Sequence, residues 1–544
     1  MSQTLPVSLN TDSIPVANDH TSRLPGWLVG ILALWLMLLV WSFVRTPIPA
    51  VNEPHYMTKA RHFWNPEWCD RDFFLSSSNP HLFYYVTVGW LTNFCSLHMA
   101  TLISRLFGLL IFAIGWSKLA RSLVPGFAAA HLAMALFLLL QASVNFSGEW
   151  VIGGIESKVF SYGFGFWGIG SLLRKQPVWA GILLGLSIAY HPLVGLWLVL
   201  GLIFYALFAN RFQLSKLIPL ARHSILPAIC LFITSLPGLW PALMVILDDA
   251  PAATKFAGDY LQVYQRLKHH LDPMEFEWWR YAAYAVMTVV LLLSYRFLST
   301  RNQKESPESR TALRLLVGIS LAALLFAFVG VLVGLRFVEP AQMPGLAWRV
   351  KLLKFYPFRL YDLILPAVLA IVLTRVLIVW LTNSEQDSLN LKRQSYLNFS
   401  LTISLFVVGI TLPFGDRNSS RMPTQMRQDW LAACHWIEQN TPEDALIVTP
   451  RHSWAFKWFA QRAEYVSYKD CPQESAGLLE WNRRLTYKYN WSVESYTDEI
   501  IDEQDLARLA QETQADYLIA TDTGTVSVDP IFVNSSYRIF SLKE

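Results

Sequence analysis

The sequence is short of charge. Only 15% of its 544 residues are Asp, Glu, Lys or Arg, against about a quarter in ordinary soluble domains. With 53% hydrophobic residues beside that deficit, the composition argues against a soluble chain and for one that crosses a membrane many times. A dominant charge sign is missing too. The net charge is +4, and no basic stripe or Cys/His finger spacing offers a nucleic-acid surface. Cysteine is sparse: Cys69, Cys95, Cys230, Cys434 and Cys471 contain no C-x-x-C spacing, the signature of common zinc and redox motifs. Cys434 and Cys471 could pair if their domain is extracytoplasmic. The N-terminus lacks a basic region ahead of an apolar core, so residues 1–23 read as a polar cytoplasmic tail rather than a cleaved signal. Neither an internal repeat nor a low-complexity tract is present.

What the chain has in quantity is apolar runs and aromatics, with 22 Trp, 21 Tyr and 33 Phe. Runs long enough for the hydrocarbon core need about twenty residues. Candidates lie near 24–44, 99–121, 127–145, 158–173, 177–190, 192–209, 224–246, 278–297, 313–335, 357–379 and 397–413, about eleven spans in all. The apolar stretch 81–97 is also compatible with a helix lying at the interface. Lys and Arg in short loops set orientation. Arg174 and Lys175, Arg211 to Arg222, the segment 296–314, and Lys392 with Arg393 fall on one side. That side is expected to be cytoplasmic, with the N-terminus inside. Loops 45–98, 146–157, 247–277 and 336–356, and everything beyond about 414, are then outside. The tail 414–544 changes character: helix-like "QDWLAACHWIEQN" and "DEQDLARLAQETQ" alternate with strand-like "ALIVTP", "ADYLIAT" and "YRIFSL". This alternation predicts a small soluble α/β domain. The expected architecture is mostly α: a polytopic membrane region, 24–413, and an extracytoplasmic α/β domain, 414–544.

Polar groups concentrate in the outside loops. In "NEPHYMTKARHFWNPEWCDRDFF", Asn52 suits a helix N-cap and Pro54 a first turn, placing Glu53 at a helix N-terminus. Such a carboxylate could complement the helix dipole or serve as a general base. Asp70 and Asp72 could assist it, or could be ordinary turn residues. His55, His62 and His81 show no H-x-x-x-H or H-E-x-x-H pattern for zinc. "SGEWVIGGIESKVFSYGFGF" sets Glu149, Glu156 and Lys158 at the outer end of a span whose glycines permit close helix packing. Glu156 and Lys158 are either a surface pair or groups facing a cavity. His191, between two short apolar runs, is either a cap or a site residue. Arg336, Arg349, Lys351, Lys354 and Arg359 break the charge rule on the outer side. They could snorkel to lipid headgroups, or form a cationic site for a phosphate.

A first span followed by an outside loop opening on an acidic motif, then many spans and an outside soluble domain, resembles the GT-C superfamily of membrane glycosyltransferases. More closely, "NEPHYMTKARHFWNPEWCDRDFF", "GGIESKVFSYGFGF", "KFYPFRLYD" and "FKWFAQRAEYVSYKDCPQ" look like a bacterial family of multi-span proteins with no assigned reaction. In the superfamily an Asp or Glu of the first outside loop is the catalytic base or a metal ligand. The matching position here is Glu53, although Asn52–Glu53 departs from the usual aspartate-led motif. The resemblance implies transfer of a sugar from a polyprenyl-phosphate donor to an unknown acceptor. The reaction would take place at the outer face of the plasma (inner) membrane, with Glu53 as base and Asp70 or Asp72 assisting. Arg359, Lys354 and Arg349 would hold phosphate, and His55, Glu156, Lys158 and His191 would touch substrate. A divalent cation, Mg or Mn, is the one cofactor such chemistry could use, with no metal ligand assigned. The alternatives are a transporter, or a non-catalytic assembly or sensor protein.

Overall fold

A computed structural model describes residues 25–301, 306–382, 388–521 and 524–543; the expected tail at 1–23 lies outside these. Every expected span is helical: α1 (Gly26–Arg45), and, after the outer helix α2 (Glu53–Trp64), α3 (Leu97–Ala120), α4 (Gly126–Ser143), α5 (Ser157–Leu173) and α6 (Pro177–Tyr190). The series continues with α7 (Pro192–Ala209), α8 (Ile225–Ile246), α9 (Trp278–Arg301), α10 (Pro307–Gly334), α11 (Arg359–Thr382) and α12 (Ser388–Thr411). Among the described residues, eight helices are long and apolar enough to cross a membrane, against the eleven expected. The difference is length: α5, α6 and the apolar part of α12 fall short of a full crossing. The protein is a polytopic helical membrane protein. Prolines begin α6 and α7, where their missing N–H costs nothing. The glycines of α5 do permit a close crossing. A Cβ at Gly115 of α3 would overlap the Gly163 carbonyl of α5, so neither helix tolerates a side chain at that contact.

From Thr424 the chain folds as an α/β unit: α13 (Thr424–Asn440), β1 (Leu446–Val448), β2 (Ala463–Glu464), α14 (Ser475–Glu494), α15 (Glu503–Thr513), β3 (Tyr517–Thr521), β4 (Phe532–Val533) and β5 (Tyr537–Ser541). The sheet order is β2-β1-β3-β5-β4. The first three strands are parallel, with Ile447 opposite both Glu464 and Tyr517, and β5 returns antiparallel with Ser541 opposite Tyr517. The 20-residue α14 has no counterpart in the sequence expectation, because its buried Leu478, Trp481 and Trp491 are interleaved with Arg, Lys, Tyr and Asn. Cys434 and Cys471 do not pair. Both are free thiols, Cys434 in the core between α13 and the sheet and Cys471 beside the other face of that sheet.

The α/β unit does not close its core alone. Cys69, Phe74 and Leu75, from the loop 45–98, pack with Leu446, Val448, Trp481 and Leu506 in one apolar cluster. Charge locks the same joint. Lys457 Nζ lies 3.3 Å from Asp72, 3.2 Å from Glu464 and 2.7 Å from Asp470. Arg71 pairs with Asp516 at 2.6 Å.

Candidate functional site

Where the loops at one end of the membrane helices meet the α/β unit, a cavity of about 380 Å³ opens. Its floor comes from the ends of membrane helices. Arg359 stands at the start of α11, its side chain 14% exposed, with Nε 3.3 Å from Glu149 and its guanidinium 4.1 Å from the Tyr356 ring centroid. Arg359 also reaches His191 Nε2 at 3.2 Å. One turn further along α11, the buried Asp362 accepts hydrogen bonds from the N–H groups of Phe146, Ser147 and Glu149 at 2.6–2.8 Å and from Tyr284 Oη at 2.6 Å. A single carboxylate thereby fixes the loop that carries Glu149. Opposite, Glu156 accepts from Asn52 Nδ2 at 2.8 Å. Lys158 Nζ lies 3.3 Å from Glu156 and 4.0 Å from Glu149. Lys354 closes one side, paired with Asp259 at 2.5 Å. Arg266 and Lys469 complete a lining in which cations outnumber carboxylates.

Five polar atoms of this lining are buried without hydrogen-bond partners among the described residues: Glu149 Oε1, His191 Nδ1, Gln262 Oε1, Arg266 Nε and Arg359 Nε, the last still ion-paired with Glu149. Buried polar atoms are rarely left so, and five lining one cavity are what a polar ligand would satisfy. Burial pushes the histidines around it toward the neutral form. Burial first, then the positive field of its neighbours, lowers His81 to about 3. Burial also lowers His55, although Asp470 at 3.0 Å works against it. Burial alone would raise Asp470, but Lys457 and His55 hold its carboxyl well below the usual range.

Of the residues expected from sequence, His55, Glu156, Lys158, His191, Lys354 and Arg359 all line this cavity. The others go elsewhere. Glu53 has no exposed surface and does not reach the cavity. It forms a two-pronged pair with Arg105 of α3, at 2.6 and 2.9 Å, and accepts from Ala50 N–H and Ile155 N–H at 2.7 and 2.8 Å. With every lone pair taken, it has no room for a substrate proton. Gly154 makes this approach possible: a Cβ there would lie 3.1 Å from Glu53 Oε1. Asp72 is buried in the Lys457 cluster, accepting from Leu75 and Glu464 N–H, and Asp70 is exposed on the loop surface. Arg349 donates to the Val333 and Leu335 carbonyls at the end of α10, and Arg336 pairs with Asp272. The charge exception thus divides. Two of its residues, Lys354 and Arg359, face the cavity, while Arg336 and Arg349 stabilise loop ends.

Sequence reasoning missed the role of Asn52, whose side chain does not cap α2 but bridges Glu156 and Lys469. Arg266, Lys469 and Tyr356 were also missed as lining residues, although "KFYPFRLYD" and "FKWFAQRAEYVSYKDCPQ" contain two of them. A divalent cation does not fit the donor set. Among the described residues no group of three or more His, Cys, Asp or Glu converges, and Lys158 already occupies the space between Glu149 and Glu156.

A second, wholly apolar groove of about 460 Å³ adjoins the cavity. Its lining includes Trp197, Leu200, Phe204, Phe326 and Val329 from the membrane helices, and it shares Leu193, Leu196 and Phe355 with the cationic cavity.

Residues 428–487 match a family model described as Domain of unknown function (DUF6798). Among curated proteins none matches. Solved structures similar to the chain include the Archaeoglobus fulgidus oligosaccharyltransferase in complex with Zn and sulfate, at 13% identity over 90% of this chain and 68% of that one, TM-score 0.42. ArnT from Cupriavidus metallidurans bound to undecaprenyl phosphate is 13% identical over 95% and 98%, TM-score 0.41. Arabinosyltransferase EmbB from Mycobacterium smegmatis is 14% identical over 66% and 32%, TM-score 0.38.

Proposed function

We propose that the protein is a membrane glycosyltransferase that moves a sugar from a polyprenyl-phosphate donor to an acceptor at the outer membrane face. The observation that carries this reading is the junction of the apolar groove with the cationic cavity through Leu193, Leu196 and Phe355. An isoprenoid chain suits the groove, and its phosphate then falls beside Arg359 and Lys354. Guanidinium and ammonium groups at that point stabilise the charge that develops as phosphate leaves. Glu149 orients Arg359, and its free Oε1 accepts a hydroxyl of the donor sugar.

Inverting transfer needs a base on the sugar face opposite the leaving group. Glu149 is held on the phosphate side by Arg359, whereas Glu156 stands across Lys158, steadied by Asn52. In this reading Glu156 takes the acceptor hydroxyl proton as that oxygen bonds to the anomeric carbon. The bond from that carbon to the phosphate oxygen breaks, and the electron pair leaves with the polyprenyl phosphate. Glu53 is a positioning residue that holds Ile155, and through it Glu156.

The test is turnover of polyprenyl-phosphate sugars by purified protein in lipid nanodiscs. Glu156→Gln should lower kcat by about 10²–10⁴ with donor Kd nearly unchanged, and Arg359→Ala should weaken donor binding instead. Undiminished turnover in Glu156→Gln would remove it as the base. Failure of the wild-type protein to bind undecaprenyl phosphate would remove the donor class.

A further inference from the structure

The α/β unit borders another cavity, of about 780 Å³, which shares no lining residue with the apolar groove. It lies beyond the carboxyl ends of the adjacent parallel strands β1 and β3. From β1 the chain turns through Thr449–His452 toward β2 on one side, and from β3 it continues toward β5 on the other. Connections that diverge from neighbouring parallel strands leave a crevice, which is where open α/β sheets take their ligands.

The chemistry of the lining is specific. No Asp or Glu is among the described residues that line it, while Arg451 and Lys488 are. Arg451 is exposed and has no ion-pair partner among the described residues. Exposed aromatic rings surround it: Tyr468 at 40%, Tyr489 at 67% and Tyr496 at 41% exposure. On the wall, fully buried Tyr537 has a hydroxyl without any hydrogen-bond partner among the described residues. The Tyr468 ring carries the guanidinium of Arg266 at 4.9 Å and that of Arg451 at 5.8 Å from its centroid, whereas the Tyr489 ring stands open. An open aromatic face matches the apolar face of a pyranose ring, and a guanidinium without an ion pair matches a carboxylate. Location adds a constraint. Tyr468 lines this cavity while its neighbour Lys469 lines the cationic one, and Gln265 and Arg266 divide in the same way.

We propose that this cavity binds an acidic saccharide, with a sugar ring on Tyr489 and a carboxylate on Arg451, and presents it across the Tyr468–Lys469 wall as the acceptor. Only the word acceptor rests on the transferase reading; the binding itself does not.

Direct binding to full-length protein in nanodiscs separates the two. Probes are uronic-acid trisaccharides of galacturonate, glucuronate and mannuronate type, each with its uncharged methyl ester, followed by calorimetry. At least one acid should bind about tenfold more tightly than its ester, one charge-assisted contact being of that order. Arg451→Ala should abolish that preference, and Tyr489→Ala should weaken acid and ester alike by about tenfold. Both side chains are exposed, so the variants should melt as the parent does, and their binding of undecaprenyl phosphate should be unchanged. The proposal is overturned if no trisaccharide binds, if esters bind as well as acids, or if either variant binds like the parent. Loss of undecaprenyl phosphate binding in the parent would count against the donor site alone.

Discussion

Glu53 and Glu156 are both buried carboxylates, and their company decides what each can do. Glu53 faces a fully buried arginine and two backbone N–H groups; Glu156 faces a cavity. Removing one partner of a buried pair leaves the other charge uncompensated, at a cost of about 3–5 kcal/mol. Glu53→Leu should therefore lower the melting temperature sharply, and adding Arg105→Met should recover much of it. Glu156→Gln keeps an acceptor for Asn52 and leaves Lys158 with Glu149 at 4.0 Å, so it should lower the melting temperature far less than Glu53→Leu while turnover falls. His81 gives a pH signature. Its folded pKa of about 3 lies below the ordinary 6.5, so between those values the unfolded chain binds a proton that the folded chain refuses. Stability is thus full above about pH 6.5 and falls as pH drops, by at most about 1.4 kcal/mol per pH unit. In thermal melts from pH 7 to 4, His81→Gln should show a shallower decline than the parent. The motif at 52–56 was legible as important from its residue types. Which of its groups faces substrate was not, because Arg105 lies within "LISRLFGLL", which reads simply as an apolar span.

The helices were legible for a simple reason: hydrophobic runs of the right length have few other uses. The short strands β1, β3 and β5 were also foreshadowed by their Leu, Ile and Val content. Helix α14 was not, since its apolar face is spread among charged and aromatic residues and is defined only by what packs on it. The first outer loop was the least legible segment. Its Phe74 reads as a loop aromatic but is 5% exposed within the α/β core. Phe74→Ala should cost about 3–5 kcal/mol. Limited proteolysis would register this as faster cleavage in the linker 412–423, with the membrane helices still protected.

Taken whole, the molecule gathers the loops 45–98 and 247–277 against its α/β unit. Arg61 meets Gln461, Arg266 meets the Lys469 carbonyl, and His55 meets Asp470. The cationic cavity is therefore a property of the assembled chain, not of either part. Residues 414–544 produced alone should lack a closed core, because Cys69, Phe74 and Leu75 are missing from it. Such a fragment should bind a hydrophobic dye and melt without a cooperative transition, and adding a peptide spanning 65–78 should restore cooperativity.

That shared core also orders events during synthesis. Asp72 must wait for Glu464, 392 positions further along the chain, before its hydrogen bond can form. Through the insertion of nearly all the helices, Phe74 and Leu75 have no α/β core to enter. Contacts of such long sequence separation close late and slowly. The cationic cavity therefore comes into being only once Lys469 has been made, and the cavity of the α/β unit only once Tyr537 has.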